Sequence, residues 1–126
     1  MRALLDTAVL IWAASSPERI TRRARSAMKS PRSVLEFSAV SLSEIAIKRS
    51  VGKLDFSGPD VEQALNDLGV RILPYTAEHA FLLFDLPVWH NDPFDRQLVA
   101  QALSERIPVV TPDEKFRLYK DLDVIW

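Results

Sequence analysis

The sequence predicts an α/β domain in three layers, with a mostly parallel sheet of about five strands covered by helices on both sides. Short apolar runs alternate with segments of helical periodicity along the whole chain, the order that builds βα units. The apolar runs also lack polar alternation, as strands buried on both faces do. A third observation concerns function. Isolated acids stand just past the predicted strand ends, where parallel α/β sheets bind their ligands.

The elements follow in order. Arg2–Leu5 reads as a short buried strand, and Thr7–Ala14 as a helix with apolar Val9, Leu10, Trp12 and Ala13, broken by Ser15, Ser16 and Pro17. Thr21 is the N-cap expected for a basic helix through Ala24 and Met28. Val34–Val40 is β-rich and reads as the second strand. Ser41 then starts a helix through Ile45 and Ile47, stopped by Gly52. Ser57-Gly58-Pro59-Asp60 opens the next helix, with Val61, Ala64, Leu65 and Leu68 on one face and Gly69 at its end. Val70–Leu73 is the third strand, and Thr76 caps a helix through Ala80, Phe81 and Leu83. Asp92-Pro93 opens a helix whose buried stripe is Leu98, Val99, Ala102 and Leu103. Ile107–Val110 and Val124–Trp126 are the fourth and fifth strands.

A chain of 126 residues, 48% hydrophobic and 26% charged, fits one globular domain spanning 1–126. The absence of Cys excludes disulfides, thiolate metal sites and cysteine nucleophiles, and fits a reducing cytoplasm. Met1-Arg2 running straight into a strand is not a signal-peptide layout, and no apolar run is long enough to span a bilayer. The net charge of −1 gives no overall basic field. Basic residues do concentrate locally, at Arg19, Arg22, Arg23, Arg25, Lys29 and Arg32. That run is either a solvated helix face or a phosphate-binding rim. Lys48, Arg49 and Lys53 pose the same choice between a helix C-terminus and a phosphate-steering rim.

Four acidic motifs carry the chemistry: Leu4-Leu5-Asp6-Thr7, Ser41-Leu42-Ser43-Glu44, Asp92-Pro93-Phe94-Asp95-Arg96 and Val110-Thr111-Pro112-Asp113. Singly, each acid has a plainer role. Ser41-x-x-Glu44 is a capping-box pattern, Asp92 and Asp113 stand where helix caps stand, and Asp95 lies in a first helical turn. Only Asp6, ending an apolar strand, lacks such a role. Together they share one edge of the sheet. Carboxylates so close repel, and a cation relieves the repulsion. An oxygen-only nest suits Mg²⁺ or Mn²⁺, on which a water can be deprotonated to attack a phosphodiester. Thr7, Thr111 and Ser43 flank the acids and can hold water or a carboxylate. Arg96 either contacts RNA or anchors its helix. His79 and His90 lack metal-ligand spacing, and His90 reads as ordering the loop before Asp92. Trp12 and the run Phe81-Leu82-Leu83-Phe84 are core or partner-facing.

These motifs, with Gly52-Lys53-Leu54, Leu86-Pro87, His90-Asn91 before Asp92, Ala100-Gln101-Ala102 and Val124-Ile125-Trp126, resemble the PIN-domain family. The nearest subgroup is the VapC-type toxins of toxin–antitoxin pairs. The resemblance implies a PIN-like α/β/α sandwich and a Mg²⁺- or Mn²⁺-dependent endoribonuclease. It makes Asp6 and Asp95 the main metal ligands, with Glu44 and Asp113 completing the acidic pocket and Asp92 left as a cap. It also implies a small inhibitory antitoxin as partner and a homodimer. Three rivals remain from the residues themselves. One is a PIN-fold nuclease in RNA or DNA processing. The second is a phosphoryl-transfer enzyme with an Asp6 nucleophile, disfavoured because Asp6-Thr7-Ala8 lacks a second Asp. The last is a non-catalytic binding module, against which metal-dependent stabilisation would count.

Overall fold

The computed structural model describes residues 1–126. Five strands form one sheet: β1 (Arg2–Leu5), β2 (Val34–Ser38), β3 (Arg71–Leu73), β4 (Val109–Val110) and β5 (Val124–Ile125). Six α-helices flank them: α1 (Thr7–Ser15), α2 (Arg22–Lys29), α3 (Ala39–Ser50), α4 (Gly58–Leu68), α5 (Ala77–Leu82) and α6 (Pro93–Glu105). The strand order is β3-β2-β1-β4-β5, and every pairing is parallel. Strand order reverses between β1 and β4, so the crevice at that switch point opens above Asp6 and Thr111.

Alternation along the strands sorts the core into two layers. Ala3, Leu5, Leu35, Phe37 and Val110 pack with residues of α1, α2, α3 and α4 on one face. Leu4, Val109 and Val124 pack with α6 and with Phe116 and Tyr119 on the other, where Leu82 of α5 joins the cluster. Leu4, Leu5, Phe37, Val109 and Val110 are completely or almost completely excluded from solvent, which explains why the strands read as continuous apolar runs.

Glu36 is the exception. It is 1% exposed on the α6 side of the sheet. Arg2 Nε donates to its Oε1 at 2.5 Å, and Arg71 Nε lies 3.3 Å from Oε2. The same Arg2 donates to Glu105 at 2.9 Å, and His79 Nε2 lies 2.8 Å from the other Glu105 oxygen. A charge inside a sheet is tolerable only when paired in this way.

Two boundaries differ from expectation. β2 ends at Ser38, not Val40, because the Ser38 hydroxyl accepts from Val40 N–H and starts α3 at Ala39. Ser41 therefore lies inside the helix, and the Ser41-x-x-Glu44 capping box does not form. The helix after Thr76 ends at Leu82 and tightens into a 3₁₀ turn over Leu83–Asp85. Elsewhere the local signals hold. Thr21 accepts from Ala24 N–H, Ser57 and Asp60 form a reciprocal capping box, and Gly69 closes α4 at φ 64° in the left-handed region. Trp12 is half-buried, 6.0 Å from Trp126 and covered by the Arg19 guanidinium. Phe81 and Phe84 stack on each other in the open, beside exposed Val88 and Trp89.

Candidate metal centre

Asp6 is the first residue past β1. Its extended backbone (φ −62°, ψ 149°) starts α1, but its side chain makes no capping bond. It points instead into a cleft of about 430 Å³ at the switch point, lined also by Thr7, Glu44, Lys48, Lys53, Asp92, Asp95 and Asp113. All four predicted acids thus meet at one place. Each arrives by a different local device. Glu44 comes from the second turn of α3. Asp95 comes from the first turn of α6, where Pro93 presets the helical φ and Asp92 Oδ1 accepts from Phe94 N–H and Asp95 N–H. Asp113 comes from the turn after β4 and caps Lys115 N–H.

Two of the four already have both oxygens engaged by the protein. Glu44 Oε1 accepts the Thr7 hydroxyl at 2.7 Å and Oε2 accepts Lys48 Nζ at 2.6 Å. The Thr7 and Ser41 hydroxyls lie 2.8 Å apart. An ionised Glu44 can only accept, so Thr7 gives its single proton to Glu44 and Ser41 supports Thr7. Asp113 has both oxygens engaged, one by Lys115 N–H and one at 2.7 Å from His90 Nε2.

The other two do not. Asp6 is 7% exposed, and its Oδ2 accepts the Thr111 hydroxyl at 2.6 Å. Its second oxygen has no side-chain partner. Burial pushes Asp6 up to about 6, against the pull of Thr111 and with the charge of Glu44 adding to the rise. Asp95 is pushed further, up to about 8, by burial and then by the charges of Asp6, Asp92, Glu44 and Asp113. Its Oδ2 stands 3.2 Å from His90 Nε2, already committed to Asp113, and Oδ1 accepts nothing. Asp6, buried, and Asp95, partly buried, are underbonded carboxylates that repel each other, the donor set a hard divalent cation satisfies. Asp6 and Asp95 could hold such an ion, with Glu44 and Asp113 acting on it through water.

His90 is the member that the sequence did not place here. Its Nδ1 accepts Asp92 N–H at 3.1 Å, which orders the loop as expected. That bond also fixes the neutral ring's proton on Nε2, aimed at Asp113 and Asp95. Tyr119 Oη accepts His90 N–H and donates to the Pro87 carbonyl, while Phe116 meets the ring edge-on at 5.6 Å. His90, Asp95 and Asp113 present ligand atoms within 4.8 Å of one another. The usable signal was its place two residues before a helix cap, which carries the ring to the same rim.

Weaker candidates resolve individually. Thr7 and Thr111 both hold carboxylates. Thr111 Oγ1 also accepts Asp113 N–H at 3.0 Å, linking two of the acids. Ser43 is exposed outside the cleft. Arg96 anchors its helix by donating to the carbonyls of Pro87 and Leu86, without an ion pair. His79 is buried in the Glu105 pair. Lys48 and Lys53 line the cleft, whereas Arg49 pairs with Asp55 and the Arg19–Arg32 run lies outside it.

Two substitutions test these roles. Asp92→Asn is expected to leave metal affinity and stability within about 0.5 kcal/mol, because Asn caps as well as Asp; urea unfolding and metal titration check it. Thr111→Val removes the donor that holds Asp6 down. Asp6 should titrate higher still, and metal affinity at neutral pH should fall roughly tenfold, about 1.4 kcal/mol, in a Mn²⁺ titration.

An all-parallel sheet with an underbonded acidic cleft at its switch point defines an α/β domain suited to holding a cation at its carboxyl edge. The PIN domain model matches residues 3–122, and the chain belongs to that family. Among solved structures it is similar to VapBC2 from Rickettsia felis bound to a DNA fragment from its promoter, at TM-score 0.74 and 17% identity over 98% of this chain and 97% of that one. It is also similar to VapBC-5 from Mycobacterium tuberculosis, a member of the VapBC family of toxin–antitoxin systems (TM-score 0.61, 19% identity, 98% and 97% covered). FitAcB from Neisseria gonorrhoeae shares the fold at TM-score 0.60 and 21% identity, over 97% and 95%. No curated protein matches by sequence.

Proposed function

We propose that this chain is a Mg²⁺- or Mn²⁺-dependent endoribonuclease and the toxin of a toxin–antitoxin pair. The observation that carries the reading is the pair Asp6, buried, and Asp95, partly buried, at the switch point, each with a carboxylate oxygen that no side chain engages, unlike Glu44 and Asp113. Membership of the PIN family supports it, as does likeness to chains of VapBC complexes. When bound, the ion lowers the pKa of a water and offsets charge gathering on the phosphodiester. The protein does the rest. Thr111 and Thr7 hold Asp6 and Glu44 in place, and His90 keeps Asp113 from swinging toward Asp95. Lys53 and Lys48 offer positive charge where a polyanion must approach an acidic cleft.

A small antitoxin is the expected partner, and a homodimer the expected assembly. The exposed Phe81, Phe84, Val88 and Trp89 give an apolar surface of the kind that such contacts cover. No helix is long and apolar enough to cross a membrane, and the reading places the protein in the cytoplasm with its RNA. The test is incubation of purified, partner-free protein with total cellular RNA in Mg²⁺, in Mn²⁺ and in EDTA. Discrete fragments in metal and none in EDTA are expected. Intact RNA under all three conditions, together with no metal binding by calorimetry, would sink the reading.

A further inference from the structure

Lys48 stands one helical turn after Glu44 on α3, in the wall of the acidic cleft. An exposed Glu–Lys pair at this spacing is ordinary and contributes little. This one is different because Glu44 is buried, with its side chain only 9% exposed, while Lys48 remains 39% exposed toward the cleft. The ammonium is strongly held in its charged form by Glu44, with the charges of Asp92 and Asp95 adding to the effect.

The partners of the cleft carboxylates show what this arrangement achieves. Five carboxylates line the cleft: Asp6, Glu44, Asp92, Asp95 and Asp113. Asp92 is occupied as a cap, Asp113 with Lys115 N–H and His90, and Glu44 with Thr7 and Lys48. Asp6 and Asp95 remain as the carboxylates with an oxygen free to ligate a cation, the donor set of a single divalent ion. Without Lys48, Glu44 Oε2 would be a third free carboxylate oxygen and a second ion would be favoured. Lys48 also has two further N–H donors after its bond to Glu44.

We propose that Lys48 is a built-in counter-ion of the cleft. It neutralises Glu44 so that one divalent ion suffices, and it binds a non-bridging oxygen of the scissile phosphodiester as charge builds there. The proposal rests on the nuclease reading for its second half only. In that step a water oxygen bonds to phosphorus and the P–O3′ bond breaks. The departing 3′ oxygen takes a proton from solvent, and the attacking water gives one up to solvent. Lys48 keeps its own protons throughout, since its task is to meet charge on the phosphate.

Calorimetric titration with Mn²⁺ alone, on the full chain, tests the first half. Wild type should take up one ion and Lys48→Met two, because Glu44 Oε2 is then free. Lys48→Arg should return the count to one. Met preserves helix propensity and the aliphatic stem, so the variant should fold, which circular dichroism verifies. Cleavage kinetics test the second half. Lys48→Met should lower kcat about a hundredfold with KM little changed, and Lys48→Arg should recover most of the rate. A Lys48→Met protein that binds one Mn²⁺ and cleaves at the wild-type rate overturns the proposal, as does a changed ion count with an unchanged rate. If wild type leaves RNA intact, the nuclease reading fails separately. The Mn²⁺ count then decides alone: a second ion in Lys48→Met supports the counter-ion role, and an unchanged count overturns it.

Discussion

Replacing Asp95 by Asn should abolish metal-dependent RNA cleavage while making the metal-free protein more stable. The two effects have one cause. Asp95 is partly buried and crowded by Asp6, Asp92, Glu44 and Asp113, so its charged form is costly unless a cation is present. Asn keeps the shape and removes the charge. At pH 7 the apo protein should gain roughly 2–4 kcal/mol, the free energy stored in a carboxyl held so far above its ordinary value. Cleavage should fall by about a thousandfold or more, the scale on which losing a group that positions transition-state charge is felt. Asp6→Asn should behave alike, with a smaller gain because Thr111 already offsets part of the cost. Urea unfolding in EDTA and cleavage in Mn²⁺ measure the two sides. Retained cleavage in both variants would remove the acidic cleft from the chemistry.

The second large effect is a pH dependence that bound metal opposes. Asp6 and Asp95 both titrate above the 3.8 of a free Asp, at about 6 and about 8. The native state therefore binds more protons than the unfolded chain between those values and 3.8. Stability of the apo protein must fall as pH rises from about 4 to about 8 and level off beyond. Glu105 works the other way. His79 and then Arg2 hold it below its ordinary 4.5, so its contribution is present above that pH and is lost in acid. The apo protein should thus be most stable in mild acid. A divalent ion at about a hundred times its Kd adds about 2.7 kcal/mol, and its effect should grow toward pH 8, because binding must displace the protons on Asp6 and Asp95. Melting curves at pH 5 and pH 8, with EDTA or Mn²⁺, test this. A Mn²⁺ shift that is equal at both pH values would refute it.

Much of the architecture was legible because it leaves local marks. A strand of Ala3, Leu4 and Leu5 ending at Asp6, and a helix opened by Asp92-Pro93, announce themselves within a few residues. Asp6, Glu44, Asp95 and Asp113 stood out as separate motifs for the same reason, and the fold brings them to one cleft. What escaped depends on distant residues. Ser38 and Ser41 are both able to cap a helix, and the choice falls to Ser38 because β2 ends level with β1 and β3, at the pairs Leu5–Phe37 and Ser38–Leu73. Glu36 sits unmarked in an apolar strand, since Arg2 and Arg71 reach it only through strand pairing. His90 meets Asp113 across 23 residues, and no spacing rule spans that loop.

The sheet's middle strand, β1, lies far ahead in the chain of the neighbour that completes it. Asp6 rests on a hydroxyl 105 residues further along, and Asp6 N–H is bonded to the Val110 carbonyl. During translation, β1 and Glu44 emerge while β4, Asp95 and Thr111 do not yet exist. Parallel pairing across such separations is slow to form and cannot be anticipated by nearer contacts. The nascent polypeptide therefore lacks an assembled cleft for most of its synthesis. The cleft closes around its acids only once nearly the whole domain has left the ribosome.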